Sequence, residues 1–322
     1  MGGGAVWLSL QVEKMYVNDL CQELITFYEI LRDQNEDFFV IVNEITKNWQ
    51  FISDISKKEA NNIYNNQNID EIINFLYPYR EQLENSFFAL QYREEYFDVL
   101  IKSLKNKIKN IHKIESKKGK LPKKHISKNI KCALKSGFYT MIRNIFNKHK
   151  EQDALRISCF YFLRDYCFSS MFKYNVKGEF NVPYGGISYN DKLPNWRIKN
   201  WKNPKLTKHL QSTCFNKVDF YDFFQQNKPT KNDFIFVDPP YDSDFSTYAD
   251  NTFGVKDQKR LADYLINECE ANFMAIMKNI KLIRSLYENK KGIICLYFDK
   301  NYSVSFKDRN DRAVEHVIIV RK

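Results

Sequence analysis

The run Phe234-Ile-Phe-Val237 is apolar at every position and stops at Asp238, which two prolines follow. A strand with one face in water alternates in polarity, whereas a strand apolar throughout fits burial on both faces, as in a covered parallel sheet. The two prolines fix the backbone and withhold two amide donors, so the strand ends there. The Asp238 carboxylate is therefore delivered to the carboxyl end of a buried strand, where open α/β sheets bind their ligands.

The rest of the chain follows an α/β rhythm broken by one long helical stretch. Residues 5–10 read as helical after a glycine turn. Met15-Tyr-Val17 reads as a short strand ending at Asn18-Asp19, and Leu20, Leu24, Phe27, Tyr28 and Leu31 recur at helical spacing behind it. From about 52 to 170 the pattern is helical and rich in Asn and Lys, interrupted by a loop over 116–122. A hairpin is expected at 172–184, where two β-prone runs flank a turn containing Gly178. Beyond 204 the expected elements are strands at 218–220, 234–237, 273–277, 293–298 and 314–320, with helices over 221–227, 257–271 and 280–288. No internal repeat points to a solenoid. The expected architecture is a mixed α/β sheet assembled from residues 1–51 and 202–322, with residues 52–201 inserted as a second unit.

The formal charge of +11 is local. Residues 102–150 hold sixteen Lys or Arg against the single acid Glu115, a net +15, so the remainder is net acidic. A block of this kind suits a polyanion, because phosphate neutralisation supplies most sequence-independent affinity for nucleic acid; a solvated lysine face is the plainer reading. The seven cysteines are scattered without a Cys-x-x-Cys pair, and the five histidines show no metal-ligand spacing, so neither a disulfide framework nor a metal is expected. No apolar run approaches the length needed to span a bilayer, and the opening Met-Gly-Gly-Gly lacks the features of a signal peptide. Reduced cytoplasm is the expected setting.

Asp238-Pro239-Pro240-Tyr241 carries the chemistry. With their amide donors gone, the prolines leave carbonyl oxygens beside a carboxylate. That pair of acceptors can hold both hydrogens of an exocyclic amino group. Such a nitrogen is a poor nucleophile while its lone pair is delocalised into the ring, and two acceptors would localise the pair toward an electrophile. Tyr241 offers a flat face on which an extruded base can stack. The plainer reading of the motif is a rigid turn after a strand. Gly2, Gly3 and Gly4 alone would read equally as a flexible leader, but followed by Asp19 at the next strand end they read as a cofactor site: glycines admit close approach and an acid binds ribose hydroxyls. Met274-Ala-Ile-Met277 and the aromatics of 215–224 read as packing residues, Phe220 excepted.

In this order of motifs the chain resembles the Dam-like, alpha-class DNA adenine-N6 methyltransferases, over nearly its whole length. Gly2–Val6 looks like the end of the family's glycine loop, and Asn18-Asp19 with Leu20–Ile25 is similar to its ribose-binding segment. Lys173-Tyr174-Asn175, continuing through Asn181 and Tyr184 to Gly185, resembles the hairpin that enters DNA beside the target base. Phe245, Tyr248, Phe253 and Asp257-Gln258 resemble the loop after the catalytic motif, and Ser305–Asn310 with Glu315-His316 the closing strands. The resemblance implies an AdoMet-dependent methyltransferase sheet with an inserted helical target-recognition domain. It also implies S-adenosyl-L-methionine as cofactor, double-stranded DNA as substrate and methyl transfer to a flipped adenine within a restriction-modification system. Under it, Asp238, Pro239, Pro240 and Tyr241 are catalytic, and Gly2, Gly3, Gly4, Asp19 and Asp238 hold the cofactor. Asp219 and Phe220 are candidates for its adenine, and Lys173, Tyr174, Asn175, Asn181 and Tyr184 contact DNA.

Two departures stand out. Lys173 occupies a position where the family usually has Arg, and Ser169-Ser170 replaces its usual Asn-Gly, so the DNA backbone contacts are expected to differ. The family also carries, ahead of the glycine loop, a cofactor motif and a strand with no counterpart after Met1. A separate N-terminal fragment, a misassigned start or a disrupted gene would each account for this. A DNA-binding fragment without activity of its own, or a methyltransferase acting on RNA, are the rival readings. A cognate restriction endonuclease and the separate fragment are the protein partners implied.

Overall fold

The computed structural model describes residues 1–10, 12–66, 68, 71–170, 172–240, 253–301 and 313–321. The chain forms two compact units, one of Thr26–Ser212 and the other of Met1–Ile25 with Thr213–Lys322.

The first unit is helical. Helices α1 (Gln22–Arg32), α2 (Glu36–Asn65), α3 (Ile72–Leu76), α4 (Arg80–Asn85), α5 (Arg93–Lys118), α6 (Lys123–Lys148), α7 (Ala154–Tyr166), α8 (Ile198–Trp201) and α9 (Pro204–Gln211) follow in order. Helix α2 starts where the Asn35 side chain accepts the Phe38 amide at 2.9 Å, and α7 where Asp153 accepts the Arg156 amide at 2.9 Å. Along α2 the buried positions Phe38, Val42, Ile45, Trp49, Ile52 and Ile55 recur every three or four residues and form one apolar stripe. Because α2 runs unbroken from 36 to 65, the expected boundary at 51/52 falls inside a helix. The second boundary lies at 212/213 rather than 201/202, since α8 and α9 close the same unit.

Trp49 is the centre of this packing. It is 0% exposed, and its ring meets Phe138, Phe162, Tyr166 and Tyr184 at centroid distances of 5.0 to 5.9 Å. Its indole N–H donates to the Lys192 carbonyl at 2.9 Å, so the ring is buried without an orphaned donor. Helices α5 and α6 pack as an antiparallel pair that comes closest at Gly137, where a Cβ would lie 3.0 Å from the Leu100 Cα. Any larger residue there would force the two backbones apart.

The expected hairpin is present as two antiparallel bridges, Cys167 with Tyr184 and Tyr174 with Phe180. Its turn is closed by Asn175, whose side-chain oxygen accepts the Lys177 and Glu179 amides at 2.9 and 3.0 Å, and by Gly178 at φ +69°. The hairpin is fixed to α6: Asn147 exchanges two 2.9 Å hydrogen bonds with the Phe180 backbone, and the Tyr139 hydroxyl donates to the Val182 carbonyl at 2.8 Å. Further along, Lys135 is 1% exposed, lies 4.0 Å over the Trp49 ring and donates to the Asn190 carbonyl.

The second unit holds strands β1 (Met15–Asn18), β2 (Thr213–Asn216), β3 (Phe234–Val237), β4 (Asn272–Lys278), β5 (Ile293–Asn301) and β6 (Ala313–Arg321). It also contains helices α10 (Phe220–Asn227), α11 (Val255–Asp263) and α12 (Lys281–Tyr287). Strands β1 and β2 pair in parallel, Val17 opposite Phe215. The other four form a sheet in the order β3-β4-β6-β5, parallel between β3 and β4 and antiparallel elsewhere. The strand expected at 218–220 lies instead at 213–216. Asp219 caps α10 by accepting the Tyr221 amide at 2.9 Å, which takes Val218–Phe220 out of any strand. Residues 5–10 contain only a single 3-10 turn, Trp7–Ser9, and the helix expected to reach residue 271 ends α-helically at Asp263, continuing as a π-helical turn, Tyr264–Glu268.

On one face of the larger sheet Ile235, Phe273, Ala275, Met277, Val317 and Ile319 are buried in a core with Phe224, Leu265, Ile283 and Tyr287. On the opposite face Phe234 (59%), Ile294, Leu296 and Phe298 are exposed. The expectation that β3 is covered on both sides is met on one side only, because among the described residues no helix packs over the other. The outer edges of β1 and β3 likewise have no strand partner among the described residues. No described helix is long and apolar enough to cross a membrane.

Burial, followed by the neighbouring Lys131, lowers the Lys135 ammonium to about 7. The unfolded chain therefore holds a proton that the fold does not between about pH 7 and the ordinary lysine value, and Lys135 makes stability rise with pH across that window. Chemical denaturation at pH 6 and pH 9.5 is expected to show stability of the native protein rising relative to Lys135→Met. A difference independent of pH contradicts the assignment.

Candidate functional site

The candidate residues gather where parallel strands end. Strand β1 ends at Asn18, and Asp19 follows, its amide donating to the Asn216 carbonyl at 3.2 Å. The Asn18 side chain reaches across to the loop after β2, its amide donating to the Val218 carbonyl at 2.9 Å and its oxygen accepting the Val218 amide at 3.1 Å. One asparagine thereby locks two strand ends together.

Asp19 gathers the glycine loop. Its carboxylate accepts the Gly2 amide at 3.0 Å through one oxygen and the Cys21 amide at 3.0 Å through the other. Gly2 and Gly4 have φ of +55° and +82°, backbone angles that side chains resist. Gly3 lies between them and is exposed. The Met1 ammonium also lies 3.6 Å from the same oxygen that accepts the Gly2 amide.

Asp219 and Phe220 are more heavily engaged. Besides capping α10, Asp219 accepts from the Arg260 guanidinium at 2.8 Å, and Arg260 also reaches Asp257 at 3.0 Å. The Phe220 ring is half-buried against Phe253, centroids 5.7 Å apart, with Arg260 5.0 Å from its centroid. Arg260, from α11, is a member of this end of the unit that local sequence pattern does not reveal.

Asp238 emerges exposed at the end of β3, Pro239 is buried behind it and Pro240 is exposed. The Pro240 carbonyl accepts from the Gln258 side-chain amide at 3.3 Å. Gln258 is itself buried, and its other polar atom, Oε1, has no partner among the described residues. One of the two carbonyls that follow Asp238 is thus anchored to α11. Tyr241, Phe245 and Tyr248 lie outside the described residues, as do Ser305–Asn310.

In the helical unit, Lys173, Tyr174 and Asn175 are half-buried and Asn181 is exposed. The Asn175 side chain organises the turn, as described above. Tyr184 is turned inward: its hydroxyl donates to Asn190 Oδ1 at 3.0 Å and its ring packs on Trp49 and Tyr139. The direct DNA contact expected of Tyr184 is therefore corrected to support of the hairpin's base. Beyond the residues picked from sequence, His149, Glu151 and Asp153 bring ligand-type atoms within 4.8 Å of one another, but Asp153 is occupied in capping α7 and in bonding His149 at 2.8 Å.

The family model for the D12 class N6 adenine-specific DNA methyltransferases matches residues 94–298, more than half of the chain. Type II methyltransferase M.CviBI of Paramecium bursaria Chlorella virus NC1A is 31% identical over 172 residues, 52% of this chain and 60% of that protein. Type II methyltransferase M.MjaIII of Methanocaldococcus jannaschii is 36% identical over 137 residues, 39% and 44% of the two chains. The DNA adenine methylase of Haemophilus influenzae is 28% identical over 162 residues, 48% and 54%. The chain spans about half the length of the curated relatives it matches. On the family match and the strand-end arrangement together, the chain belongs to the D12 class N6 adenine-specific DNA methyltransferases.

Proposed function

We propose that the protein transfers a methyl group from S-adenosyl-L-methionine to the exocyclic amino nitrogen of an adenine flipped out of duplex DNA. The observation that carries this reading is the exposed Asp238 carboxylate at the end of β3, followed by a buried Pro239 and by a Pro240 whose carbonyl is held by Gln258. Asp238 and the Pro239 carbonyl accept the two amino hydrogens, localise the nitrogen lone pair and aim it at the methyl carbon. With the methyl donor bound, the nitrogen would take the methyl group as the sulfonium releases it, and Asp238 would pass the proton lost from nitrogen to water. Tyr241 stacks on the extruded base.

The residues present suit the cofactor. Asp19 offers a carboxylate at the strand end for ribose hydroxyls, and the glycine loop bonded to it allows backbone to approach a nucleoside closely. S-adenosyl-L-methionine supplies an electrophilic methyl group on sulfur. Asp219 and Phe220 bound the same strand ends, with Arg260 neutralising Asp219. In the helical unit, Lys173, Tyr174 and Asn181 on the hairpin meet the DNA, with Asn175 and Tyr184 maintaining its shape.

M.CviBI and M.MjaIII are type II methyltransferases, which supports a restriction-modification setting with a cognate endonuclease in a reduced cytoplasm. The edges of β1 and β3, which have no strand partner among the described residues, and the exposed apolar face beside β5 support a further partner: a polypeptide segment that adds a parallel strand and covers that face, the separate N-terminal fragment expected from the sequence.

Substituting Asp238→Ala is expected to lower methyl transfer by at least about 10²–10³-fold, the scale of losing one transition-state partner, while DNA affinity in gel-shift titration is unchanged. Retained transfer overturns the role of Asp238. Gln258→Leu removes the donor to Pro240 together with the unsatisfied oxygen, so stability is expected to move by less than about 1 kcal/mol while transfer slows roughly tenfold. A rate equal to that of the native protein contradicts the positioning role.

A further inference from the structure

The junction of α5 and α6 carries a concentrated charge remote from the hairpin. Lys113, Lys117, Lys118, Lys120, Lys124 and Lys128 are all exposed, and none has an ion-pair partner among the described residues. The single acid within residues 102–150, Glu115, is half-buried and already engaged. Its carboxylate accepts the Tyr64 hydroxyl at 2.6 Å and the Leu121 amide at 2.8 Å. Burial works against its charge, but these two bonds prevail and hold its carboxyl below the usual range. The fold therefore uses Glu115 to tie down the loop, and although Lys120 lies within electrostatic reach of Glu115 and Lys128 of Asp191, the cluster keeps a large excess of positive charge.

The direction of this surface is set by α6. Asn147 and Tyr139 hold the hairpin at one end of the helix, and Arg143 lies between them with its guanidinium 3.4 Å from the Asn181 carbonyl. Lys131 pairs with Asp191 at 2.5 Å, and the Lys128 carbonyl accepts from Asn190 at 3.4 Å, so the chain from Phe180 to Asp191 runs along this stripe toward the helix start. Lys124 and Lys128 continue the stripe at helical spacing, on the side that carries the hairpin. From Asn147 to Lys124, α6 rises about 35 Å at 1.5 Å per residue, close to one turn of B-DNA.

We infer that the α5–α6 junction is a second contact for the duplex backbone, engaging phosphates about one helical turn from the point where the hairpin meets the DNA. This rests on the reading of duplex DNA as substrate. It makes affinity depend on the length of flanking DNA without adding sequence specificity.

The test measures binding of the full chain by fluorescence anisotropy over a salt series, on a 30-base-pair duplex and on an 8-base-pair dumbbell of about 27 Å, too short to bridge hairpin and junction. The native protein is compared with Lys113→Gln/Lys117→Gln/Lys124→Gln/Lys128→Gln, whose circular-dichroism melting should match it because all four side chains are exposed. At about 0.9 per phosphate contact, the slope of log affinity against log salt on the long duplex should fall by roughly 2–4 in the variant, with the dumbbell slope unchanged. An unchanged slope on the long duplex, or an equal loss on the dumbbell, overturns the second contact. So does a junction-dependent slope seen only with duplex RNA. Equal slopes on both DNAs for the native protein sink this inference alone, whereas failure of the native protein to bind either DNA sinks the substrate reading beneath it.

Discussion

Parallel strands release their chains at a common end, and the candidate chemistry of this protein depends on that constraint. Strand β1 delivers Asp19, β2 leads into Asp219, and β3 delivers Asp238. No helix interior or antiparallel hairpin would set acids at strand ends in this way. The polar bonds that hold the arrangement are few and specific: Asn18 locks the exits of β1 and β2, Asp19 holds the glycine loop, and Gln258 anchors the turn after Asp238. Each joins backbone to a side chain from elsewhere, so the strand ends are positioned by the fold and not by their own loops.

The two units solve the burial problem differently. The helical unit closes on itself around Trp49, where an aromatic cluster, satisfied indole and hydroxyl groups and a glycine contact between α5 and α6 give a complete core. The sheet unit packs one face against α10, α11 and α12 and leaves Phe234, Ile294, Leu296 and Phe298 open on the other. Mixed and parallel sheets ordinarily carry cover on both sides, and among the described residues this one carries it on one. Division of labour follows the same line: the helical unit holds the hairpin and the positive charge, and the sheet unit holds the carboxylates.

Much of this was legible in the residues. The apolar run ending in Asp238 and two prolines placed β3 and its exposed acid, because composition and backbone stiffness are local properties. The hairpin over 172–184 and its turn at Gly178 were read from the same kind of local signal. What failed was also local in cause. Val218–Phe220 looked β-prone, but Asp219 competes as a helix cap and wins. The 51/52 boundary followed a change of composition that the continuous hydrophobic stripe of α2 simply crosses. Tyr184 was placed among the DNA contacts by the family resemblance, and its ring packs in the Trp49 cluster, which no local pattern announces. Pairings set by tertiary structure left no trace in spacing: Arg260 meets Asp219 across 41 positions, and Lys135 is a buried lysine inside a segment whose other lysines are mostly solvated.

The central claim is that the acceptors at the end of β3 act on an adenine amino group in duplex DNA. Incubation with methyl-labelled S-adenosyl-L-methionine and unmethylated duplex DNA, followed by digestion to nucleosides, tests it most directly. The account predicts that the label appears as N6-methyladenine. Label recovered in cytosine or in RNA, or no transfer by a preparation that binds both the cofactor and duplex DNA, would contradict it.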